Sequence, residues 1–213
     1  MMKTWRRVRF LLICFSSVFI SLLLIMPALA QVKPEAEPND NREQAQEIRI
    51  GESVGGYFQK DYDYDWYKLT VDKSGKNYLQ ADLTAVPGID AYLYVHDANG
   101  QQLKEINDAP ENGAESIIRF PVESGIYYIR VYGYGKAVKG KYALSTKITG
   151  PWEEGWESEP NDRRESANDL KLDRTVQGYF DHKRDEDWYK LIIDTPGKSL
   201  VLIELSAVPG VNG

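Results

Sequence analysis

The 213 residues carry 26 Lys and Arg against 32 Asp and Glu, a formal net charge of −6, and a single cysteine. An acidic chain of this kind suits divalent cations better than nucleic acid or an anionic membrane surface. One cysteine excludes an internal disulfide and a thiolate metal cluster.

The first thirty residues read as a leader. Lys3, Arg6, Arg7 and Arg9 precede an apolar run from Phe10 to Met26, and Ala28-Leu29-Ala30 offers the small residues of a cleavage site. The mature chain is expected to start at Gln31. The alternative is an uncleaved anchor, because the run is about 17 residues, near the lower limit for a span. Cys14 follows bulky Ile13 and precedes most of the run, which does not suit a lipid-modified cysteine. Cleavage after Ala30 removes that cysteine, four basic residues and no acid, leaving about −10 net. The expected location is secreted, cell-surface or periplasmic, without stable membrane insertion.

Residues 35–40 read EAEPND. Pro38 pushes Glu37 into extended backbone. In an extended segment Glu35, Glu37 and Asn39 project to one side. Two carboxylates and an amide oxygen on one face repel unless a cation sits among them. Such hard oxygen ligands suit Ca²⁺, which takes about six to eight, so a second segment must contribute. Asp40 is expected to cap a short helix over about residues 41–47, with Glu43 completing a capping box.

The candidate second segment is DYDYDWYKL, 61–69. Its alternate Asp61, Asp63 and Asp65 resemble an EF-hand loop. However, the required Gly is Trp66 and the chain runs straight into a strand. Asp63 and Asp65, at the mouth of that strand, are the better ligand candidates. A solvated acidic turn is the alternative.

The rest of 33–148 is written in strands. Tyr67, Leu69 and Val71 alternate with polar neighbours. So do Leu79, Ala81 and Leu83, then Ala91, Leu93 and Val95, then Ile118 with Phe120, Tyr127 with Ile129 and Val131, and Tyr142 with Leu144. Period-two alternation between turn signals predicts an all-β fold, a jelly-roll-like β-sandwich. Asn99-Gly100 marks a hairpin. About 115 residues suffice to bury a core without cross-links. On the strand 125–134, Tyr128, Arg130 and Tyr132 should face outward as a candidate ligand-binding row. The bland alternative is that they merely cover a sheet.

GPWEEGW, 150–156, reads as a linker whose Trp152 and Trp156 should pack on something. After it the chain repeats. Shifting by 122 residues aligns 35–91 with 157–213 without a gap, and about 26 of 57 pairs are identical. ESEPND at 157–162 restates the hexapeptide, and Asp162 with Glu165 restates the capping pattern. Lys183 stands where Asp61 would be, while Asp63 and Asp65 recur as Asp185 and Asp187. Residues 92–148 have no counterpart. The expected organisation is a leader at 1–30, a sandwich at 31–149, a linker at 150–156, and the front half of a second copy at 157–213. The chain then reads as the front of a longer protein.

ExEPND, a G-Y-F strand, DxDWYKL and GIYYIRVYGY at 125–134 together resemble the bacterial pre-peptidase C-terminal domain. The resemblance covers the full first copy and the front half of the second. Members are β-sandwiches often appended to secreted peptidases, and they resemble the collagen-binding domains of clostridial collagenases. Those domains bind Ca²⁺ through an acidic N-terminal segment and present aromatics to the ligand from the matching strand. The resemblance implies Glu35, Glu37, Asn39, Asp40, Asp63 and Asp65 as Ca²⁺ ligands. By the same match it implies Glu157, Glu159, Asn161, Asp162, Asp185 and Asp187.

Catalytic sets are not evident. His96 and His182 are expected at the surface, and His182 aligns with Lys60. No G-x-S-x-G elbow, H-E-x-x-H helix or phosphate loop is present. The leading expectation is a secreted, non-catalytic, Ca²⁺-stabilised sandwich that binds or spaces at an extracellular polymer, whether a collagen-like protein, glycan or cell wall. One rival is an accessory region of a secreted peptidase whose catalytic domain lies beyond Gly213. Another is a purely structural surface repeat.

Overall fold

A computed structural model describes residues 32–135, 139–182, 185–194 and 196–208. The leader and its cleavage site, Lys183, and the segment 209–213 lie outside them. Among the described residues twelve strands run in chain order: β1 Val32–Pro34, β2 Gln46–Ile48, β3 Ser53–Phe58, β4 Tyr64–Val71, β5 Asn77–Leu83, β6 Asp90–His96, β7 Gln102–Ile106, β8 Glu115–Val122, β9 Gly125–Tyr134, β10 Gly140–Pro151, β11 Asn168–Leu170 and β12 Tyr189–Leu191.

The first repeat is a sandwich of two five-stranded mixed sheets, ordered β1-β3-β10-β5-β8 and β2-β4-β9-β6-β7. The alternation seen in the sequence explains the packing. Tyr67, Leu69 and Val71 of β4, Leu93 and Val95 of β6, and Ile129 and Val131 of β9 turn inward. They meet Leu79, Ala81 and Leu83 of β5 and Leu144 of β10 in one buried cluster. Tyr127 is only half-buried and packs against that cluster.

Two expectations need correction. On β8 the inward residue is Ile117, not Ile118. The pairing shifts register between Leu79↔Phe120 and Ala81↔Ile117, and Arg119 in that bulge adopts φ 52°. An extra residue in a strand reverses the side-chain alternation beyond it. The short helix is one 3-10 turn, Arg42–Gln44, because residues 46–48 are drawn into parallel pairing with β4. Its cap is Asn41, whose side chain accepts from Gln44 N at 3.1 Å. The second copy has the same turn at Arg164–Ser166 with no side-chain cap bond. Asp40 and Asp162 are therefore not caps.

The second repeat reproduces the opening of the first. β11 and β12 pair in parallel with Asn168↔Tyr189, which is Gln46↔Tyr67 moved by the repeat offset. Beyond β12, Leu200, Leu202, Ile203 and Leu205 are exposed. The linker packs as its tryptophans required. Arg119 lies between the rings of Tyr78 and Trp156, 4.2 Å from each, and Lys76 lies over Trp152. Among the described residues no helix is long and apolar enough to cross a membrane.

Candidate metal centre

The site of the first repeat is built where the acidic segment 35–40 crosses the start of β4. Trp66 N donates to Asn39 O at 2.9 Å and ties the two segments together. Glu35, Glu37 and Asp65 each bring a carboxylate oxygen within 4.8 Å of the others'. Asn39 braces the two glutamates, its Nδ2 donating to Glu35 at 3.1 Å and its backbone N to Glu37 at 2.9 Å. Asp63 accepts from Gln59 N through Oδ2 at 2.6 Å.

Tyrosines supply the wall. Tyr67 donates to Glu35 Oε1 at 2.7 Å, and the single hydroxyl proton of Tyr142 is shared between Asp65 Oδ2 at 2.6 Å and Glu35 Oε1 at 3.0 Å. The Tyr142 ring lies over Gly56, where an added Cβ would come 2.1 Å from a ring carbon. The glycine of the G-Y-F strand thus lets the tyrosine reach the carboxylates. Sequence reasoning missed both tyrosines. Tyr67 recurs as Tyr189, which was a usable signal, whereas Tyr142 lies in the unrepeated half.

The second repeat rebuilds this arrangement with its own residues. Glu157, Glu159 and Asp187 form the matching trio. Asn161 donates to Glu157 and Glu159 at 3.2 and 3.1 Å, Tyr189 to Glu157 at 2.6 Å, and Asp181 N to Asp185 at 2.7 Å. Trp188 N donates to Asn161 O at 3.0 Å. Asp40 and Asp162 sit to the side of their trios. Asp40 pairs with Lys60 at 2.5 Å, and Asp162 lies 3.6 Å from His182.

The charges are poorly compensated. Burial, with neighbouring carboxylates adding to it, pushes Asp65 up to about 8 even though Tyr142 donates to it. Burial likewise pushes Glu159 up to about 8, against the pull of Lys104, and Asp187 up to about 7, with Glu157 and Asp185 adding to it. Burial raises Glu37 as well. Three side-chain oxygens in each copy, Asn39, Asp63 and Asp65 Oδ1 and their counterparts Asn161, Asp185 and Asp187 Oδ1, are buried with no hydrogen-bond donor among the described residues. A buried acceptor without a partner is costly. A hard cation among the trio would satisfy them, so the donor set fits Ca²⁺.

A second feature lies on the outer face of the sheet containing β4, β9 and β6. Register places Tyr64, Tyr132 and Tyr92 in one row, Trp66, Arg130 and Tyr94 in the next, and Lys68, Tyr128 and His96 in a third. Tyr132 stacks on Tyr64 with centroids 4.8 Å apart, and Arg130 lies 3.9 Å over Tyr94. Tyr128, Arg130 and Tyr132 face outward as expected, but half-buried among each other's neighbours. Tyr64, Trp66, Tyr92 and Tyr94 complete the patch.

Both histidines depart from expectation. His96 is 4% exposed, its ring 4.7 Å from that of Trp66, and burial lowers its pKa. His182 is half-buried and contacts Asp181, Asp162 and Asp185.

Residues 63–133 match the family model described as the bacterial pre-peptidase C-terminal domain. No curated protein matches the sequence. Solved structures match parts of this chain at low identity. The pre-peptidase C-terminal domain of collagenase from Bacillus anthracis is 19% identical with a TM-score of 0.42, covering 53% of this chain and 100% of that one. CorA, a surface-associated copper-binding protein important in copper acquisition by Methylomicrobium album BG8, is 13% identical with a TM-score of 0.35, covering 49% and 98%. PliG, a periplasmic inhibitor of g-type lysozyme from Aeromonas hydrophila, is 13% identical with a TM-score of 0.32, covering 49% and 97%.

Proposed function

We propose that this chain, whose first repeat contains a bacterial pre-peptidase C-terminal domain, is a non-catalytic accessory module stabilised by Ca²⁺ and used outside the cell to hold or space a larger assembly at an extended polymer. The observation that carries the cation is the recurrence of the same three donorless buried oxygens in both repeats. Glu35, Glu37, Asn39, Asp63 and Asp65 would hold one ion, and Glu157, Glu159, Asn161, Asp185 and Asp187 another. The ion would supply structural charge compensation only, closing the acidic segment onto the strand mouth.

The polymer-binding part of the reading rests on the aromatic grid. Side chains at alternate positions of a strand stand about 7 Å apart. Rows of tyrosine at that spacing, with Arg130 among them, suit a chain lying across the sheet better than a small molecule in a pocket. A pure spacer role is the second reading. It is favoured by the Tyr78–Arg119–Trp156 stack, which holds the linker against the first repeat.

The test is thermal unfolding of the chain in CaCl₂ and in EDTA. A ligand bound only by the native state adds about 2.7 kcal/mol at a hundredfold excess over Kd. For a protein of this size that corresponds to about 5–10 °C in Tm. An unchanged midpoint removes the cation from the proposal. Pull-down on insoluble collagen, chitin, cellulose and peptidoglycan tests the polymer, and binding to none favours the spacer.

A further inference from the structure

Lys104 lies on β7, the edge strand of its sheet, paired with Val95 and pointing to the core side. A lysine there ordinarily extends its ammonium into water. Instead its side chain is 4% exposed, because Nζ enters the acidic site of the second repeat. Asp181 lies at 3.2 Å, Glu159 at 3.8 Å and Asp162 at 4.0 Å.

The two repeats provide an internal comparison. In the first, the equivalent lobe of Asp40 and Asp63 contains that repeat's own Lys60, at 2.5 and 3.7 Å. The offset of 122 puts His182 where Lys60 stands, so the second repeat lacks this lysine. It also puts Asp181 where Gln59 stands. Gln59 Nε2 donates to Glu37 Oε1 at 2.5 Å. The aspartate cannot donate, and Glu159 Oε1, the matching atom, is buried without a partner among the described residues. Among the described residues the second site has therefore gained a carboxylate at the Gln59 position and lost the lysine at the Lys60 position, and Lys104 of the first repeat brings an ammonium in.

We propose that Lys104 is a borrowed cation that docks the second repeat on the first and competes with the divalent ion for the second repeat's acidic site. This rests on the cation reading above. Glu159 belongs both to the Glu157–Glu159–Asp187 trio and to the lysine's partners. A divalent ion on the trio therefore meets the ammonium across one shared carboxylate. Lys60, with a side chain 58% exposed, is free to swing away from its site. Lys104 is not, since displacing it breaks a buried contact between the two repeats. The second site is weaker than the first, and filling it loosens the docking by the same factor, because coupling between two binding events is reciprocal.

Calorimetric titration of CaCl₂ into the full chain, wild type and Lys104→Met, separates the outcomes, with small-angle scattering at each saturation point. In wild type two affinities are expected, and Glu37→Gln should remove the tighter one. Lys104→Met should strengthen the weaker site about tenfold or more, equivalent to about 1.4 kcal/mol, and leave the tighter one unchanged. Lys104→Arg, which keeps the charge, should keep the two affinities apart. The wild-type radius of gyration should rise only as the weaker site fills, and Lys104→Met should show the larger radius without calcium. Two sites of equal affinity, or a weaker site indifferent to Lys104→Met, overturn the borrowed-cation inference and leave the cation reading intact. No binding at either site in any variant overturns both.

Discussion

Replacing Asp65 by Asn separates a metal ligand from an ordinary buried acceptor. Asp65 is fully buried at the start of β4, with Tyr142 donating to Oδ2 and no donor for Oδ1 among the described residues. Burial raises its carboxyl from 3.8 to about 8. At about 1.4 kcal/mol per pH unit, the ionised form costs at most about 6 kcal/mol. Asn keeps an oxygen for Tyr142 and places an amide donor beside Glu35 and Asn39. In EDTA at pH 8, Asp65→Asn should therefore melt higher than wild type. If about 2 kcal/mol of the cost is recovered, the rise is about 4–8 °C. In CaCl₂ the order should reverse, because wild type gains its ion and the variant has lost a charged ligand. Differential scanning calorimetry in both buffers reads this directly. A variant that melts lower in EDTA makes Asp65 a structural acceptor and refutes the electrostatic reasoning. One that still gains the wild-type increment from Ca²⁺ removes Asp65 from the ligand set.

The same carboxyls set a pH dependence. Asp65 and Glu159 are raised to about 8 and Asp187 to about 7 when folded, so the native state holds protons that the unfolded chain releases near pH 4. In EDTA the melting temperature should fall as pH rises from about 4 to about 8, and saturating Ca²⁺ should flatten that fall. Gly56→Ala should displace the Tyr142 ring and destabilise the chain by about 2 kcal/mol or more, read by urea unfolding, since its Cβ would meet ring atoms that cannot move without leaving Glu35 and Asp65. Tyr132→Ala should leave the melting temperature within about 2–4 °C of wild type. It should weaken polymer binding by about 1–2 kcal/mol in the pull-down if the aromatic grid is the contact surface. Limited proteolysis should cut within 192–208, where Leu200, Leu202, Ile203 and Leu205 are exposed, before it cuts 33–148. Equal resistance of both parts would show that this segment is covered in solution.

The sandwich was legible because its strands alternate cleanly. The failures were local and physical. Period-two counting points Ile118 inward because it cannot see a bulge, which the register shift and the positive φ of Arg119 mark. Asp40 was read as a cap because the motif is right. In the fold Asn41 does that work, and Asp40 pairs with Lys60 instead. His96 was expected at the surface because it ends a strand, yet the indole of Trp66 and the ring of Tyr94 cover it from the neighbouring rows. The acidic ligand candidates were legible because they recur at one offset. Tyr142 and Lys104 were not, because both lie in the half of the first repeat that has no counterpart to compare.

That asymmetry bears on how the two repeats came to differ. A repeat copied whole would carry its site and its Lys60 equivalent together, and either copy would then be self-sufficient. Here six hydrogen bonds around the site are shared by both copies: Asn39 to its two glutamates, Tyr67 and Tyr57 N to Glu35, Gln59 N to Asp63, and Trp66 N to Asn39. Their counterparts are Asn161 to its glutamates, Tyr189 and Tyr179 N to Glu157, Asp181 N to Asp185, and Trp188 N to Asn161. The side chains of the loop have changed, Gln59 to Asp181, Lys60 to His182, Asp61 to Lys183, Tyr62 to Arg184 and Tyr64 to Glu186. The backbone frame that would hold an ion is thus retained, while the groups that set its net charge are not. Asp181, Glu159 and Asp162 are the part of the second site that faces the first repeat, and Lys104 meets them there.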